Sequence, residues 1–284
     1  MDPRNKAITS VDSSVRLLLA TDFDGTIAPI VSRPEQAQIH LVAERFLKRC
    51  AEIPSIAVAV VSGRDVDDVR RRIGGIRAIV AGSHGLECAD ASGRLLWTTE
   101  QRCPEVRASL LRDLLRANLR IERKKFAVAV HFRGVPSEAR THVNRLTSWA
   151  DEENLDVFSG RKVVEVRVRG GGKRAAVRAI ASRLAAGHIV YAGDDTTDFP
   201  ALAYAVIHGR AIFVENEELE PPDIAGLWRV ASIEDLCYGF ARELIDVAPD
   251  LVPLLYGDAA ERAPASRPGV DVVIPPTQAG RLVP

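Results

Sequence analysis

The chain has 284 residues, 46% of them apolar, and its 38 lysines and arginines balance its 38 aspartates and glutamates. A chain of this size and composition can bury a sizeable core, and its zero net charge excludes a global field that would attract nucleic acid or an anionic membrane surface. The four cysteines form no C-x-x-C pair, which argues against a zinc site and against a disulfide scaffold.

The first residues lack the basic start and apolar core of a secretory signal, and no apolar run approaches the roughly 20 residues that span a bilayer. We therefore expect a soluble protein of the cytoplasm with free thiols. Neither nucleic acid nor a membrane is expected as a partner.

A continuous apolar run over residues 17–20 ends in Asp22-Phe23-Asp24-Gly25-Thr26. Such a run is typical of a buried parallel strand, and ligands of open α/β sheets bind just beyond the carboxyl ends of the strands. Once Gly25 turns the chain, the carboxylates of Asp22 and Asp24 can converge on one divalent cation, and Asp22 can act as a nucleophile. The alternative is an ordinary turn, since Asp, Gly and Thr are all turn formers.

The same pattern recurs at the second predicted strand. A helix over residues 36–50 precedes an apolar strand over 56–61, which ends in Ser62-Gly63-Arg64, and a helix over 65–73 follows. A hydroxyl, a glycine amide and a helix N-terminus at one point can cradle a phosphate. The alternative is a plain helix cap formed by Ser62 or Asp65.

A third short strand over residues 78–81 leads into Gly82-Ser83-His84-Gly85-Leu86-Glu87. Glycines bracket Ser83 and His84, so the backbone can approach a ligand closely there. Taken alone, His84 would be interpreted as a polar surface residue. Residues 86–97, with Ala91-Ser92-Gly93 at their centre, are predicted to form a β-hairpin.

The middle of the chain predicts an α+β unit. It comprises a helix over residues 104–119, an extended segment over 121–133, a helix over 137–152, and strands over 155–159 and 162–169. The last strand alternates three valines with Glu165, Arg167 and Arg169, so one face is apolar and the other is charged. The charged face either meets solvent or faces the strand ends that carry Asp22 and Ser62.

Lys173 begins a helix predicted to run to about residue 186, a position where the helix dipole disfavours a cation unless an anion lies nearby. The next strand, over 188–192, ends in Gly193-Asp194-Asp195-Thr196-Thr197-Asp198. Three carboxylates within five residues repel one another unless a cation neutralises them, which favours a metal site. A strand over 211–214 and a helix over 232–244 complete the core.

This order predicts four segments. Residues 14–87 and 170–245 form the two parts of the core, 88–169 form the inserted α+β unit, and 246–284 form a tail rich in proline, alanine and glycine with little fixed structure expected.

Four of these strings resemble the four motifs of the haloacid dehalogenase superfamily of phosphotransferases. They are Asp22-Phe23-Asp24-Gly25-Thr26, Val60-Val61-Ser62-Gly63-Arg64, Lys173 and Gly193-Asp194-Asp195-Thr196-Thr197-Asp198. Within it, the resemblance is closest to trehalose-6-phosphate phosphatases, whose strings are similar to Gly82-Ser83-His84-Gly85-Leu86-Glu87, Glu122-x-Lys124, His131-Phe132-Arg133 and Val164-Glu165-Val166-Arg167. The chain departs from that family at Arg169, Arg174 and Phe199, where proline, glycine and glutamate are usual.

The resemblance implies an α/β fold, with a Rossmann-like parallel-sheet haloacid dehalogenase core and an inserted α+β cap domain. It implies Mg²⁺-dependent hydrolysis of a phosphorylated sugar, trehalose 6-phosphate, through an aspartyl-phosphate on Asp22, with Asp24 as acid and base. Ser62 and Lys173 would hold the phosphoryl oxygens. The implied metal ligands are Asp22, the backbone carbonyl of Asp24 and Asp194, with Asp195 and Asp198 in the same cluster or behind it. The implied substrate-binding residues are Gly63, Arg64, Ser83, His84, Glu87, Glu122, Lys124, His131, Arg133, Glu165 and Arg167.

Two other functions stay open at this point. A phosphatase for another phosphorylated sugar, such as sucrose phosphate or a glycosyl-phosphoglycerate, would need only changed contacts in the inserted unit. An inactive binding or regulatory domain would keep the fold without turnover, although such a domain has no need for Asp24. A nucleotide-binding Rossmann protein is set aside, because no G-x-G-x-x-G follows a predicted strand.

Overall fold

Two β-sheets organise the chain. The computed structural model describes residues 15–132, 140–160 and 163–256. The strands in this part of the chain are β1 Leu17–Thr21, β2 Ile56–Val61, β3 Ile79–Gly82, β4 Glu87–Ala89, β5 Leu95–Thr98, β6 Arg120–Arg123, β7 Ala127–His131, β8 Asp156–Gly160, β9 Val163–Arg167, β10 His188–Gly193, β11 Gly209–Val214 and β12 Trp228–Val230. The α-helices are α1 Leu41–Ala51, α2 Val66–Arg72, α3 Ala108–Arg116, α4 Arg140–Glu152, α5 Lys173–Leu184, α6 Phe199–His208, α7 Ile233–Val247 and α8 Val252–Tyr256.

The larger sheet has eight strands in the order β12-β11-β10-β1-β2-β3-β4-β5. The strands from β12 to β3 are parallel, and β4 and β5 add an antiparallel edge. Helices α1, α2 and α7 bury one face of this sheet, and α5 and α6 bury the other. Strand β1 is buried at every position because it lies in the middle of both cores, as its continuous apolar run predicts.

The smaller sheet has four strands in the order β6-β7-β9-β8, and every pairing in it is antiparallel. Helices α3 and α4 pack on one of its faces around Leu114, Leu146 and Trp149, with the valines of β7 and β9 beneath them. A parallel sheet joined to a separate antiparallel sheet by way of one insertion confirms the predicted fold class.

Several predicted elements differ from those observed. The hairpin β4–β5 extends the larger sheet, so the segment that builds the smaller sheet starts after Thr98 and not at residue 88. Residues 121–133 do not form one extended segment. The chain turns between Arg123 and Ala127, and β6 and β7 pair antiparallel there. Helix α6 and strand β12 were not predicted.

The end of the described chain is more regular than its composition suggests. Helix α7 continues to Val247, a 3₁₀ turn spans Pro249–Leu251, and α8 follows. Leu251 is buried in the same core as α1 and α7, and this contact holds the segment in place. The prediction of little structure after residue 246 is therefore wrong up to Tyr256, and residues 257–284 lie outside the described part. No helix among the described residues is long and apolar enough to cross a membrane.

Candidate active site

The carboxyl ends of β1 and β10 bring together three aspartates that are distant in sequence. The two strands pair in parallel, and the amide of Asp22 donates to the carbonyl of Ala192 at 2.8 Å. One carboxylate oxygen from each of Asp22, Asp194 and Asp198 lies within 4.8 Å of the other two, and all three residues are buried. We call this group the acidic triad. Three carboxylate oxygens at this spacing fit a small hard cation such as Mg²⁺.

Burial and repulsion between carboxylates disfavour the ionised forms of Asp22 and Asp194 and raise the pKa of each. Burial raises the pKa of Asp22 well above its usual range, with Lys173 acting against this and the neighbouring aspartates adding to it. Burial and, to a smaller extent, the charge of Asp198 together raise the pKa of Asp194 to about 7. A bound cation would relieve the repulsion between these carboxylates because it favours the ionised forms of Asp22 and Asp194.

Lys173, the first residue of α5, reaches into the triad. Its Nζ lies 2.9 Å from Asp22 Oδ1 and 2.8 Å from Asp198 Oδ1, and the side chain is buried. Burial lowers the pKa of Lys173, but the two carboxylates outweigh this and raise it above its usual range. The unfavourable position at a helix start is therefore compensated by two anions.

Both carboxylate oxygens of Asp198 accept hydrogen bonds from other groups of the protein. Its Oδ1 accepts from Tyr191 at 2.5 Å as well as from Lys173, and its Oδ2 accepts from the amide of Asp195 at 3.1 Å. A Cβ on Gly193 would lie 2.3 Å from Asp198 Cγ, so only glycine fits there. Asp198 thus orients Lys173, and Asp22 and Asp194 are the members with oxygens left for a cation.

Asp194 is fixed by neighbours on both sides. Thr26 Oγ1 donates to its Oδ1 at 2.9 Å, and Asn216 Nδ2 donates to its carbonyl at 3.0 Å. Gly25 adopts φ +84°, and a Cβ at that position would lie 2.1 Å from Asp194 Oδ2. The turn after β1 therefore needs glycine for its backbone conformation and for its close approach to this carboxylate.

The structure does not bring the carboxylates of Asp24 and Asp195 into the triad. Arg64 donates to both oxygens of Asp24, at 2.6 Å from Nε and 2.7 Å from Nη2. Asp195 is half-buried and lines a neighbouring cavity. Only the backbone carbonyl of Asp24 is left as a candidate ligand from that residue.

Ser62 and the loop after β3 lie beside each other. Ser62 is buried, its Oγ accepts from the amide of Arg64 at 3.1 Å, and its carbonyl accepts from the amide of His84 at 2.8 Å. Ser83 and His84 adopt left-handed backbone conformations, with φ +51° and +55°. A Cβ on Gly63 would lie 2.6 Å from His84 Nε2, so the two loops touch at a glycine.

His84 is not a surface residue, so that interpretation is wrong. Burial lowers its pKa well below the usual range, and the charges of Arg167, Lys173 and Lys124 lower it further, so the imidazole is neutral. Its Nε2 lies 3.5 Å from Glu165 Oε1 on the smaller sheet. The histidine therefore connects the strand ends of the larger sheet with β9.

The charged face of β9 points toward the larger sheet and not toward solvent. Glu165 and Arg167 are 9% and 3% exposed. Glu165 Oε2 accepts from Lys124 at 2.6 Å, and the Arg167 guanidinium carbon lies 3.4 Å from the centroid of the Phe158 ring. Burial lowers the pKa of Arg167 to about 10, although Glu165 acts to raise it. The alternative of a solvated sheet face is wrong for these two side chains.

Two further polar contacts flank this face. His131 Nε2 lies 2.9 Å from Glu122 Oε2 across β6 and β7. Glu87 is buried, accepts from the amide of Val66 at 3.1 Å, and pairs with Lys125 at 2.6 Å between Nζ and Oε2. Arg133, the remaining predicted contact, lies outside the described residues.

A cavity of about 580 Å³ lies between the strand ends and the smaller sheet. Its volume falls within the range of small-molecule sites. Predicted site residues line it from both sheets: Asp24, Gly63, Arg64, Ser83, Glu122, Lys124, His131 and Asp195. A buried carboxylate beside an ammonium group, near a cavity lined with hydrogen-bonding groups, suits transfer of a phosphoryl group from a polyhydroxylated alcohol.

The family model described as Trehalose-phosphatase matches residues 20–211. The chain belongs to the trehalose-phosphatase family. The matched region contains every predicted site residue from Asp22 to Asp198.

Two kinds of relative accompany this match. A trehalose-phosphate phosphatase of Mycobacterium marinum is 32% identical over 215 residues, covering 69% of this chain and 53% of that protein. An uncharacterized glycosyl hydrolase of Mycobacterium tuberculosis is 37% identical over 216 residues, covering 69% of this chain and 16% of that protein. The chain thus spans about half the length of the first relative and a small part of the second.

Solved structures support the fold. The C-terminal domain of a trehalose-6-phosphate phosphatase from C. albicans aligns with a TM-score of 0.67 at 18% identity, covering 81% of this chain and 92% of that one. A haloacid dehalogenase-like hydrolase from B. subtilis aligns with a TM-score of 0.57 at 17% identity, covering 80% and 98%. At these identities the alignments confirm the haloacid dehalogenase fold.

Three residues of this trehalose-phosphatase family member were missed by the sequence reasoning: Thr26, Tyr191 and Asn216. Tyr191 carries a hydroxyl in an otherwise apolar buried strand, and a buried hydroxyl needs a partner, so this signal was present. Asn216 follows β11, at the same edge of the sheet as Asp22 and Asp194. Its position just past a parallel strand is the same signal that identified the aspartates.

Proposed function

We propose that this chain hydrolyses trehalose 6-phosphate to trehalose and phosphate, through an aspartyl-phosphate on Asp22 and with Mg²⁺ as its cofactor. The observation that carries the proposal is the buried Asp22 carboxylate, paired with Lys173 at 2.9 Å within the acidic triad. The activities for which the M. marinum and C. albicans proteins are named support the choice of substrate. The segment after Thr98 and before Gly170 would act as a cap over the site.

In the first half of the reaction, an oxygen of Asp22 forms a bond to phosphorus, and the bond from phosphorus to the sugar oxygen breaks. Asp24 donates a proton to that oxygen, so trehalose leaves as a neutral alcohol. In the second half, water attacks the same phosphorus and gives a proton to Asp24. The bond between phosphorus and Asp22 then breaks, which restores the carboxylate and releases phosphate.

The other residues of the site would stabilise the charge of the phosphoryl group and position the substrate. Lys173 and the hydroxyl of Ser62 would hold non-bridging phosphoryl oxygens, whose charge grows in the transition state. Asp22, Asp194 and the carbonyl of Asp24 would hold Mg²⁺, which supplies further stabilisation of that charge. Glu122, Lys124, His131 and Glu165 offer donors and acceptors for sugar hydroxyls above the cavity.

Phosphate release from a panel of sugar phosphates tests the proposal, with Mg²⁺ present and after its removal by a chelator. We expect the highest kcat/KM for trehalose 6-phosphate, and loss of turnover on chelation. Preference for sucrose phosphate or a glycosyl-phosphoglycerate would overturn the substrate and leave the chemistry standing. No turnover on any member would favour a binding domain of the same fold.

A further inference from the structure

Arg64 is predicted from the sequence to bind substrate, but four of its five N–H donors are already used within the protein. Nε and Nη2 donate to the two oxygens of Asp24, at 2.6 and 2.7 Å, and Nη2 also donates to the carbonyl of Pro34 at 2.9 Å. Nη1 donates to Asp68 Oδ2 at 2.9 Å. A guanidinium group has five N–H donors, so these bonds leave Arg64 unable to grip a phosphate with a pair of N–H groups.

Arg64 is in turn held in position by hydrogen bonds with Asp68, which also bonds to Arg72. Asp68, one turn along α2, accepts from Arg64 and also from Nε and Nη2 of Arg72, each at 2.9 Å. Arg72 Nη1 then donates to the carbonyls of Glu35 and Ala37, at 2.9 and 2.6 Å. Hydrogen bonds therefore run without a break from Asp24, through α2, to the loop that follows the β1 turn.

We propose that Arg64 is a positioning residue for Asp24, with Asp68 and Arg72 as its support, and that it is not a substrate ligand. Asp24 stands at the edge of the cavity and outside the acidic triad, so its carboxyl needs a separate anchor to face the sugar oxygen and the attacking water. A bidentate pair fixes both the place and the plane of a carboxylate, which one hydrogen bond does not. This inference rests on the proposed function, because it assigns Arg64 to the residue that moves the proton.

The two halves of the reaction place different demands on Asp24, and this difference supplies the test. With p-nitrophenyl phosphate the leaving group departs as a stable anion, so the first half needs no proton from Asp24. The second half still needs Asp24 to accept a proton from water. A misplaced Asp24 should therefore leave the formation of the phosphoenzyme fast and make its hydrolysis slow.

The experiment is stopped-flow measurement of nitrophenolate release by the wild type, Arg64→Gln and Arg64→Lys. Proton transfer by a positioned side chain contributes at least about 100-fold, so we expect a fall in kcat of that order in Arg64→Gln. A burst of nitrophenolate approaching one per protein chain should accompany it. Arg64→Lys, which keeps the charge without the bidentate pair, should show a burst as well. Arg178→Gln, at an exposed position on α5, is the matched control and should behave as the wild type.

Two results would overturn the inference. A rise in KM with unchanged kcat would make Arg64 a substrate ligand, and a fall in kcat without a burst would place Arg64 in the first half of the reaction. If Arg64→Gln does not fold, the same outcomes are decided by Arg64→Lys. If the wild type turns over and the Arg64 variants have the same kinetics, only this inference is refuted. If the wild type turns over neither p-nitrophenyl phosphate nor trehalose 6-phosphate, the proposed function is refuted as well.

Discussion

The ammonium group of Lys173 donates to Asp198 at 2.8 Å at the buried carboxyl edge of the larger sheet. Because Asp198 is itself held by Tyr191 and by the amide of Asp195, this bond aims the lysine at Asp22. The lysine thus stands beside the candidate nucleophile, where a phosphoryl group would arrive. Five predictions follow from this arrangement and its surroundings.

Asp22→Asn should abolish turnover and the phosphoenzyme, because a neutral amide cannot form the acyl-phosphate bond. Rapid acid quench with a radiolabelled substrate, followed by counting of protein-bound phosphate, measures the intermediate. Asp67→Asn, on the exposed side of α2, is the control and should retain both. Turnover retained by Asp22→Asn would remove this residue as the nucleophile.

Lys173→Met should make the fold dependent on Mg²⁺. The change leaves the buried carboxylates of the acidic triad without their ammonium partner, and breaking a buried pair costs about 3–5 kcal/mol. Thermal melting in chelator should show a large loss of Tm, and added MgCl₂ should raise the Tm of the variant more than that of the wild type. Lys48→Met, which removes a half-exposed pair on α1, should show neither effect. No rise of Tm with Mg²⁺ in either the wild type or Lys173→Met would contradict a cation site at the triad, and an equal rise in both would contradict the role of Lys173 in neutralising it.

Gly25→Ala should weaken Mg²⁺ activation, because the new methyl group would displace the Asp194 carboxylate. Gly75→Ala is a matched control, since Gly75 also has a positive φ, +76°, but a Cβ there would meet no atom of the described residues within 4 Å. Both variants carry a backbone cost of roughly 1–2 kcal/mol. Only Gly25→Ala should raise the Mg²⁺ concentration needed for half-maximal phosphatase activity. The same rise in both variants would assign the effect to backbone strain.

Asp68→Asn should destabilise the fold in a way that depends on pH. Burial would raise the pKa of Asp68, but hydrogen bonds from Arg72 and Arg64 outweigh it and lower the pKa from 3.8 to about 2. A carboxyl group whose pKa is lower in the folded than in the unfolded state stabilises the fold at pH values above its unfolded pKa. This contribution is lost as the pH falls through the pKa of the folded state. At neutral pH we expect a loss of about 2 kcal/mol in the free energy of unfolding.

Urea denaturation of the wild type and Asp68→Asn at several pH values measures this effect. The difference between the two proteins should be constant from pH 7 to about 4 and should shrink toward pH 2. A difference that does not change with pH over this range would show that the ionised form of Asp68 is not what stabilises α2.

Glu122→Gln should alter the choice of sugar and leave the chemistry unchanged. Glu122 pairs with His131 above the cavity, and its hydrogen bond with that residue lowers the pKa of the glutamate, so it offers a charged acceptor to a sugar hydroxyl. Loss of one charged hydrogen bond should lower kcat/KM for trehalose 6-phosphate about tenfold. The value for p-nitrophenyl phosphate should not change. Glu152→Gln, an exposed position on α4, is the control.

The parts of the fold that follow from local pattern could be predicted from the sequence. Strand β1 is buried at all its positions, and Val164 and Val166 of β9 pack in the core of the smaller sheet, while Glu165 and Arg167 lie on the other face. The aspartates at the ends of β1 and β10 were located by the same reasoning, because a polar run directly after a buried strand is visible without any knowledge of tertiary contacts.

What failed depends on information that no short window of sequence holds. The turn after Arg123 contains lysines and a phenylalanine in place of the usual turn formers, so the hairpin β6–β7 carries no signal. Helix α6 is almost uniformly apolar, and periodicity cannot separate such a helix from a strand. The Arg64–Asp24 pair joins side chains 40 positions apart, and only the folded chain shows that this arginine serves a carboxylate.

The acidic triad follows strands of the larger sheet, whereas Glu122, Lys124 and Glu165 belong to the smaller one or to its loops. Within the described residues, the groups proposed to break the phosphate ester and those proposed to recognise its alcohol are therefore encoded in different stretches of the gene. Mutations in the second stretch can change which alcohol is recognised without changing the residues proposed to break the ester. A lineage with this layout is able to acquire a new ester as its substrate in small steps, while the residues proposed to carry out the hydrolysis stay unchanged.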